Sequence, residues 1–181
     1  MDKDNLNNYK YLFLDRDGVI NEERPADYVK SIPEFIFTDQ ALQAIATLSH
    51  RFQYIFVVTN QRGLGRGVMS FSDLEEIHHY MLSEIEREGG HIDQIYFCPD
   101  LDSVSVNRKP NVGMAFQALR DFPDLDFSKS IMVGNSVSDI DFGNKLGMYT
   151  VLVGDKYPQG HKIYENIDAY YENLYKFAEN L

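Results

Sequence analysis

Short apolar runs alternate with amphipathic stretches along the chain, which is the pattern of an α/β protein. Tyr11–Leu14 and residues 54–58 are apolar at consecutive positions, as expected of strands buried on both faces. Three more strands are predicted at Gln94–Cys98, 131–133 and Tyr149–Val153. Apolar residues at helical spacing predict helices over 39–49, 72–88, 112–121, 138–146 and 169–179, with Thr38, Ser72 and Ser138 as N-caps. This order requires crossovers, and it therefore predicts a parallel, doubly wound sheet.

The whole chain, residues 1–181, is predicted to form a single domain. Its 181 residues suit one hydrophobic core, and no linker, internal repeat or low-complexity segment interrupts them. Hydrophobic content of 44% and charged content of 25% are typical of globular proteins.

The charge and the cysteine count restrict the partners and the compartment. A formal net charge of −11 argues against nucleic acid or a polybasic membrane contact. The single cysteine, Cys98, excludes an internal disulfide and fits a reducing cytosol. The polar first ten residues predict no signal peptide, and no apolar run reaches membrane-spanning length. We expect a cytoplasmic monomer with no nucleic-acid or membrane partner.

Four polar clusters each follow a predicted strand. They are, from first to fourth, Asp15/Asp17, Thr59/Asn60, Arg108/Lys109 and Asn135/Asp139. An Asp-x-Asp-Gly stretch alone also reads as an ordinary turn. The carboxyl ends of parallel strands, however, meet at one edge of the sheet, where ligands bind in doubly wound folds. We therefore expect all four clusters to form one site.

The residue types in these clusters suit phosphate chemistry. The carboxylate and amide oxygens of the first and fourth clusters are hard ligands of the kind Mg²⁺ prefers. A hydroxyl and an amide from the second cluster, with the ammonium of Lys109, can hold a phosphoryl group. One Asp can then attack phosphorus as a covalent nucleophile, while a second carboxyl exchanges protons with the leaving oxygen and with water. The predicted partner is a small-molecule phosphate ester.

The motifs LFLDRDGVIN, VVTNQRGLGRG, NRKP and VGNSVSD, in this order, resemble those of the haloacid dehalogenase-like (HAD) phosphohydrolases. The resemblance covers nearly the whole chain and is closest to the branch of the heptose-1,7-bisphosphate 7-phosphatases and histidinol-phosphate phosphatases. It implies an α/β, Rossmann-like three-layer fold with a central parallel sheet and no large cap domain. It further implies a Mg²⁺-dependent phosphomonoesterase that acts on a small sugar phosphate through an aspartyl-phosphate.

The resemblance also assigns roles to residues of this chain. It implies that Asp15 is the nucleophile, Asp17 the general acid/base, Thr59 a phosphoryl ligand and Lys109 the neutralising cation. The implied Mg²⁺ ligands are Asp15, Asp17 through its backbone carbonyl, Asn135 and Asp139. The expected substrate-binding residues are Asn60, Gln61 and Arg108. Candidates for a second phosphate are Arg24, Arg62 and Arg66, although exposed loop arginines are usually just solvated.

One departure from the family pattern concerns the metal site. The family usually has Asp where this chain has Asn135. An amide oxygen still ligates Mg²⁺, but the site loses a negative charge. We expect weaker Mg²⁺ affinity than with Asp at this position, and we expect Asp139 to assist directly or through water.

A second departure concerns zinc. Related enzymes carry a zinc site of the pattern C-x-H…C-x-C just before RKP. Here the four positions are Cys98, Asp100, Ser105 and Asn107. One thiol and one carboxylate are too few for a structural zinc ion, so we predict no zinc. The adjacent His78 and His79 point apart on a predicted helix and are expected on its solvated face.

The sequence is compatible with more than one substrate and more than one class of activity. Residues 27–29, 35–37 and 66–67 favour D-glycero-D-manno-heptose 1,7-bisphosphate as substrate. The glycines at 63 and 65 and the short loop before Arg108 are closer to the histidinol-phosphate branch. A non-catalytic phospho-ligand binding protein on the same fold, with Asn135 marking lost catalysis, is a second class. Transfer of the phosphoryl group to a sugar acceptor is a third.

Overall fold

The computed structural model describes residues 6–181, and its strands form one parallel sheet in the order β3-β2-β1-β4-β5-β6. The strands are β1 (Tyr11–Leu14), β2 (Tyr54–Asn60), β3 (Gln94–Cys98), β4 (Ser130–Gly134), β5 (Tyr149–Val153) and β6 (Ala169–Tyr171). All five predicted strands are present. Residues 1–5, which belong to the segment predicted to lack a signal peptide, lie outside the described residues.

Helices cover both faces of the sheet. They are α1 (Ala41–Ser49), α2 (Arg62–Gly65), α3 (Phe71–Arg87), α4 (Gly113–Asp121), α5 (Val137–Lys145) and α6 (Leu174–Glu179). The strand β1 shows why two layers form, since Leu12 and Leu14 pack in one core with α1, α3 and α6, whereas Tyr11 and Phe13 pack in the other with α4 and α5. The predicted three-layer fold is confirmed, and no segment within residues 6–181 forms a large cap domain.

The helix starts differ from the predicted ones. The N-caps of α3 and α5 are Ser70 and Ser136, two residues before those predicted, and each forms a capping box with an Asp three residues later. Both Ser70 and Ser72 stand three residues before an acidic side chain, so the pattern alone does not separate them. Thr38 does not cap α1, because its hydroxyl donates to the carbonyl of Val19 at 2.8 Å.

The predicted C-terminal helix over 169–179 is wrong in its first half. Residues 169–171 pair with β5 as the sixth strand, and a helix capped by Asn173 begins only at Leu174. The tyrosines at 170 and 171 favour a strand, and the open edge of β5 supplies the pairing.

The strand order places the polar clusters together. The chain leaves β1 toward β2 on one side, and β4 and β5 lie on the other, so β1 stands beside the switch point of the sheet. The clusters after β1, β2 and β4 therefore converge on one edge. Among the described residues, no helix has both the length and the apolar character needed to cross a membrane.

Candidate active site

A buried lysine bridges two buried carboxylates at the base of the site. The ammonium of Lys109 lies 2.8 Å from Asp15 Oδ1 and 2.7 Å from Asp139 Oδ1, and it donates to the carbonyl of Val58 at 2.6 Å. Burial and the nearby Asp139 raise the pKa of Asp15 to about 7, against the opposing effect of Lys109. Burial alone would lower the pKa of Lys109, but Asp139 and Asp15 outweigh it and raise that pKa.

The backbone fixes this triad, which we call the floor of the site (Asp15, Lys109 and Asp139). The amide of Asp15 donates to the carbonyl of Val133 at 3.0 Å, so Asp15 continues the ladder between β1 and β4. The side chain of Asn60 accepts from the amide of Lys109 at 3.0 Å and donates to its carbonyl at 3.1 Å. Asn60, a predicted substrate contact, thus also positions Lys109.

Asp17 lies above the floor in a network of donors. Its Oδ1 accepts from Arg16 at 2.9 Å and from Asn21 at 3.0 Å, and its Oδ2 accepts from Gln61 at 2.9 Å. Burial would raise the pKa of Asp17, but the Arg16 guanidinium and these hydrogen bonds outweigh it and lower the pKa. The amide of Gln61 also donates to the hydroxyl of Thr59 at 2.9 Å, which links the first two clusters.

Arg16, which the motifs leave without a role, pairs with His78, which was expected to be solvated. The Arg16 side chain is almost fully buried, and its Nη1 lies 3.2 Å from Nε2 of His78 on α3. Since a guanidinium only donates, Nε2 must accept, and His78 is neutral. Burial and the charge of Arg16 lower the pKa of His78 to about 3. The expectation of a solvated His78 is therefore wrong, whereas His79 is exposed.

The fourth cluster is built around the start of α5. Asp139 Oδ2 accepts from the amides of Asn135 and Ser136, at 3.1 and 3.0 Å, and from the Ser136 hydroxyl at 2.7 Å. One oxygen of Asp139 thus closes the first turn of the helix, and the other pairs with Lys109. This arrangement makes Asp139 a support for Asn135 and Lys109, and its role as a Mg²⁺ ligand stays a prediction.

The Asn135 side chain lies directly over Gly18. A Cβ atom on Gly18 would collide with the Asn135 amide group, and Gly18 has a φ of +88°. The Asn135 Nδ2 donates to Glu23 Oε2 at 3.0 Å, and Lys156 Nζ lies 2.8 Å from both carboxylate oxygens of Glu23. Two loops, one after β1 and one after β5, therefore meet beside Asn135.

These side chains line an open cleft of about 260 Å³. The lining includes most of the predicted site residues: Asp15, Asp17, Thr59, Asn60, Arg62, Arg108, Lys109, Asn135 and Asp139. Gln61 lines an adjoining cavity of about 130 Å³, and Arg66 lies outside both, with its guanidinium 5.9 Å from the ring centre of Tyr28. Four further residues line the cleft that are not among the predicted site residues: Glu23, Ser136, Ser138 and Lys156. The rule that sites lie beyond strand ends points to the loop after β5, which the motifs do not include.

The residues present fit a Mg²⁺ ion. Asp15 and Asp139 share one buried cation, so the floor carries a net negative charge that a bound cation would offset. Within residues 6–181, no three His, Cys, Asp or Glu side chains are arranged as a complete metal site. Mg²⁺ is usually held by one or two carboxylates and completes its shell with amide or backbone oxygens, water and phosphate.

The loop where related enzymes carry zinc is held by polar contacts among three of the four corresponding side chains. The Cys98 Sγ lies 3.6 Å from Asp100 Oδ2 and 3.9 Å from the Ser105 hydroxyl, which itself donates to Asp100. The guanidinium of Arg108 donates to the carbonyl of Leu101 in the same loop. The loop thus holds Arg108 at the cleft, and the absence of zinc stays a prediction.

Comparisons with known proteins place this arrangement in a family. The model of the HAD-hydrolase-like family matches residues 106–175. A curated relative, the D-glycero-alpha-D-manno-heptose-1,7-bisphosphate 7-phosphatase of Campylobacter jejuni, is 38% identical over 152 residues, which cover 83% of this chain and 86% of the relative. The D-glycero-beta-D-manno-heptose-1,7-bisphosphate 7-phosphatase of Neisseria meningitidis is 34% identical, with 94% of this chain and 93% of the relative covered.

A solved structure agrees with these relatives. The crystal structure of D,D-heptose 1,7-bisphosphate phosphatase from B. bronchiseptica, complexed with magnesium and phosphate, superposes with a TM-score of 0.82. It is 32% identical and covers 94% of this chain and 97% of its own. The resemblance read from the four motifs is thereby confirmed. The chain belongs to the HAD-like phosphohydrolases, in the branch of the heptose-1,7-bisphosphate 7-phosphatases, and is a phosphoric monoester hydrolase.

Proposed function

We propose that this enzyme is a Mg²⁺-dependent phosphatase that removes the 7-phosphate of D-glycero-D-manno-heptose 1,7-bisphosphate through an aspartyl-phosphate on Asp15. The observation that carries the mechanism is the floor, where a buried Lys109 holds a buried carboxylate at the base of an open cleft. The relatives' printed activities support the substrate.

In the first step, an oxygen of the Asp15 carboxylate attacks phosphorus, and the bond between phosphorus and the sugar oxygen breaks. The leaving oxygen takes a proton from Asp17. In the second step, Asp17 takes a proton from water, the water oxygen attacks phosphorus, and inorganic phosphate leaves Asp15 as a free carboxylate. Thr59 binds the phosphoryl group during transfer, and Lys109 offsets its charge.

The network around Asp17 fits the second step directly, because its lowered pKa keeps it ionised as a base. For the first step Asp17 must acquire a proton. An approaching phosphate anion favours this, since a nearby like charge raises the pKa of a carboxyl group. The residues that would hold Mg²⁺ are Asp15, the backbone carbonyl of Asp17, and Asn135. When bound, the ion would neutralise charge on the phosphoryl oxygens.

The second phosphate of the substrate is assigned to the arginines of the cleft. Arg62 and Arg108 line the cleft and are half-buried, which suits them to pair with an anion. The relatives are named for both the alpha and the beta anomer of the heptose. We therefore propose that the 7-phosphate is the one removed, and the assay with both anomers identifies the preferred anomer.

The test is phosphate release from a panel of monoesters with Mg²⁺ and with chelator. The panel contains both anomers of heptose 1,7-bisphosphate, histidinol phosphate and common sugar phosphates, with Asp15→Asn as control. We expect the highest kcat/KM on a heptose bisphosphate, strict dependence on Mg²⁺, and no turnover by the control. A higher kcat/KM on histidinol phosphate would overturn the substrate, and turnover by Asp15→Asn would overturn the mechanism.

A further inference from the structure

The buried amide of Asn135 has a fixed orientation. Its Nδ2 donates to Glu23 Oε2 at 3.0 Å, and the amide group is pressed against Gly18. A carboxylate only accepts hydrogen bonds, so the atom facing Glu23 must be the nitrogen. The oxygen Oδ1 of Asn135 is then turned away from Glu23 and is free to act as a ligand.

This orientation matters because an amide is not symmetric. A carboxylate at this position would offer a metal ion two equivalent oxygens, whereas Asn135 offers one oxygen and one NH₂ group. If the amide turned by half a rotation, it would point two N–H dipoles at the cation. A residue that holds the nitrogen away from the metal therefore decides whether Asn135 is a ligand at all.

The partner of Asn135 is itself held from outside the cleft. Lys156 lies 2.8 Å from both oxygens of Glu23, and the two side chains are 41% and 43% exposed. An ion pair this exposed contributes little to stability, so its loss should not unfold the protein. Because Lys156 offsets the charge of Glu23, what Glu23 adds next to Asn135 is mainly the direction of a hydrogen bond.

We propose that Glu23 is a positioning residue for Mg²⁺, which turns the Asn135 amide so that Oδ1 faces the metal and thereby keeps an asparagine usable at this position. The inference rests on the proposed Mg²⁺ site. It assigns a function to a residue outside the four motifs.

The test is calorimetric titration of the metal-free protein with MgCl₂, with the melting temperature recorded for each variant. We expect Glu23→Ala to weaken Mg²⁺ binding about tenfold, the loss of one oriented ligand bond. Glu23→Gln retains an acceptor oxygen for Asn135 and should stay within about threefold of the wild type. The matched control Lys156→Ala removes the other half of the ion pair but keeps the bond to Asn135, and should not weaken binding.

A second background separates orientation from charge. In Asn135→Asp either carboxylate oxygen can ligate, so adding Glu23→Ala should change Mg²⁺ affinity less than about twofold. Equal losses in both backgrounds, or equal losses for Glu23→Ala and Lys156→Ala, would overturn the proposal, as would unchanged affinity in Glu23→Ala. If the wild type binds no Mg²⁺, the proposed metal dependence is overturned as well. If the wild type shows Mg²⁺-dependent turnover but Glu23→Ala leaves the Mg²⁺ affinity unchanged, only the role of Glu23 is overturned.

Discussion

The floor of the active site and its rim are built in opposite ways. The floor (Asp15, Lys109 and Asp139) is buried, and its side chains and backbone are anchored by carbonyls of β2 and β4 and by the two amides that precede α5. The rim, by which we mean Glu23, Arg62, Arg108 and Lys156, consists of exposed or half-buried side chains from the segments that follow β1, β2, β3 and β5.

The difference separates chemistry from recognition. Buried charges around Asp15 are costly, because two carboxylates share one ammonium, yet they are in place before any substrate arrives. Rim side chains cost little to hold and can adjust to a ligand. We therefore expect substitutions in the floor to change the turnover rate and those in the rim to change substrate preference or metal affinity.

The strongest test of the floor is Asp15→Asn. Asparagine keeps the shape of the side chain but cannot form the phosphoenzyme, so kcat should fall by at least about a thousandfold. Stability should move the other way. The pKa of Asp15 is raised to about 7 in the folded protein, so between its unfolded pKa and about pH 7 the unfolded chain ionises this carboxyl more readily than the folded protein does. The free energy of unfolding of the metal-free enzyme therefore falls as the pH rises toward about 7.

Thermal unfolding at pH 8 with chelator checks this second expectation, in which Asp15→Asn melts no lower than the wild type. Asp126→Asn is a matched control, because it removes an exposed carboxylate paired with Lys129 at 3.2 Å. A markedly lower melting temperature for Asp15→Asn than for that control would show that the buried Asp15 carboxylate does not destabilise the folded protein.

The next largest effect on kcat is expected for Lys109→Met. It leaves Asp15 and Asp139 buried without their shared cation, so the free energy of unfolding should drop by about 3 kcal/mol. The lost cation should lower kcat at least about a hundredfold. Urea unfolding and initial rates measure the two effects. Lys129→Met, at the exposed pair with Asp126, should lower the free energy of unfolding by less than about 1 kcal/mol. A similar loss at both sites would show that the buried pairs of Lys109 matter no more for stability than an exposed pair.

The same contrast explains what could be predicted from the sequence. The floor follows from short motifs beyond strand ends, because the segments after β1, β3 and β4 carry Asp15, Lys109 and Asp139 to one edge of the sheet. Glu23 and Lys156 could not be predicted, since they are 133 positions apart and meet only through loop conformation. Arg16 and His78 were missed for another reason, since a charged residue beside a motif and a histidine in an amphipathic helix both look solvated.

The rim is tested by comparing two arginines at opposite ends of α2. Arg62 lines the cleft and Arg66 does not, although both were predicted to bind substrate. Arg62→Ala should lower kcat/KM for heptose 1,7-bisphosphate about tenfold and leave an aryl phosphate nearly unchanged, because only the bisphosphate has a second anion to pair. Arg66→Ala should stay within about twofold on both substrates. Equal effects of the two substitutions on the bisphosphate would place the second phosphate outside this cleft.

The smallest effect on activity is expected at His78→Gln, because His78 contacts Arg16 and does not line the cleft. Neutral His78 accepts from Arg16, and its folded pKa of about 3 lies below the unfolded value. Below about pH 6.5 the unfolded chain therefore binds a proton that the folded protein does not, and stability falls as the pH drops toward 3. At pH 5.5 this lowers the free energy of unfolding of the wild type by about 1.4 kcal/mol relative to pH 8.

Glutamine accepts from Arg16 without titrating, so urea unfolding of His78→Gln should lack this part of the pH dependence, while kcat at pH 8 changes little. If both proteins lose the same stability between pH 8 and 5.5, His78 is not held neutral against Arg16.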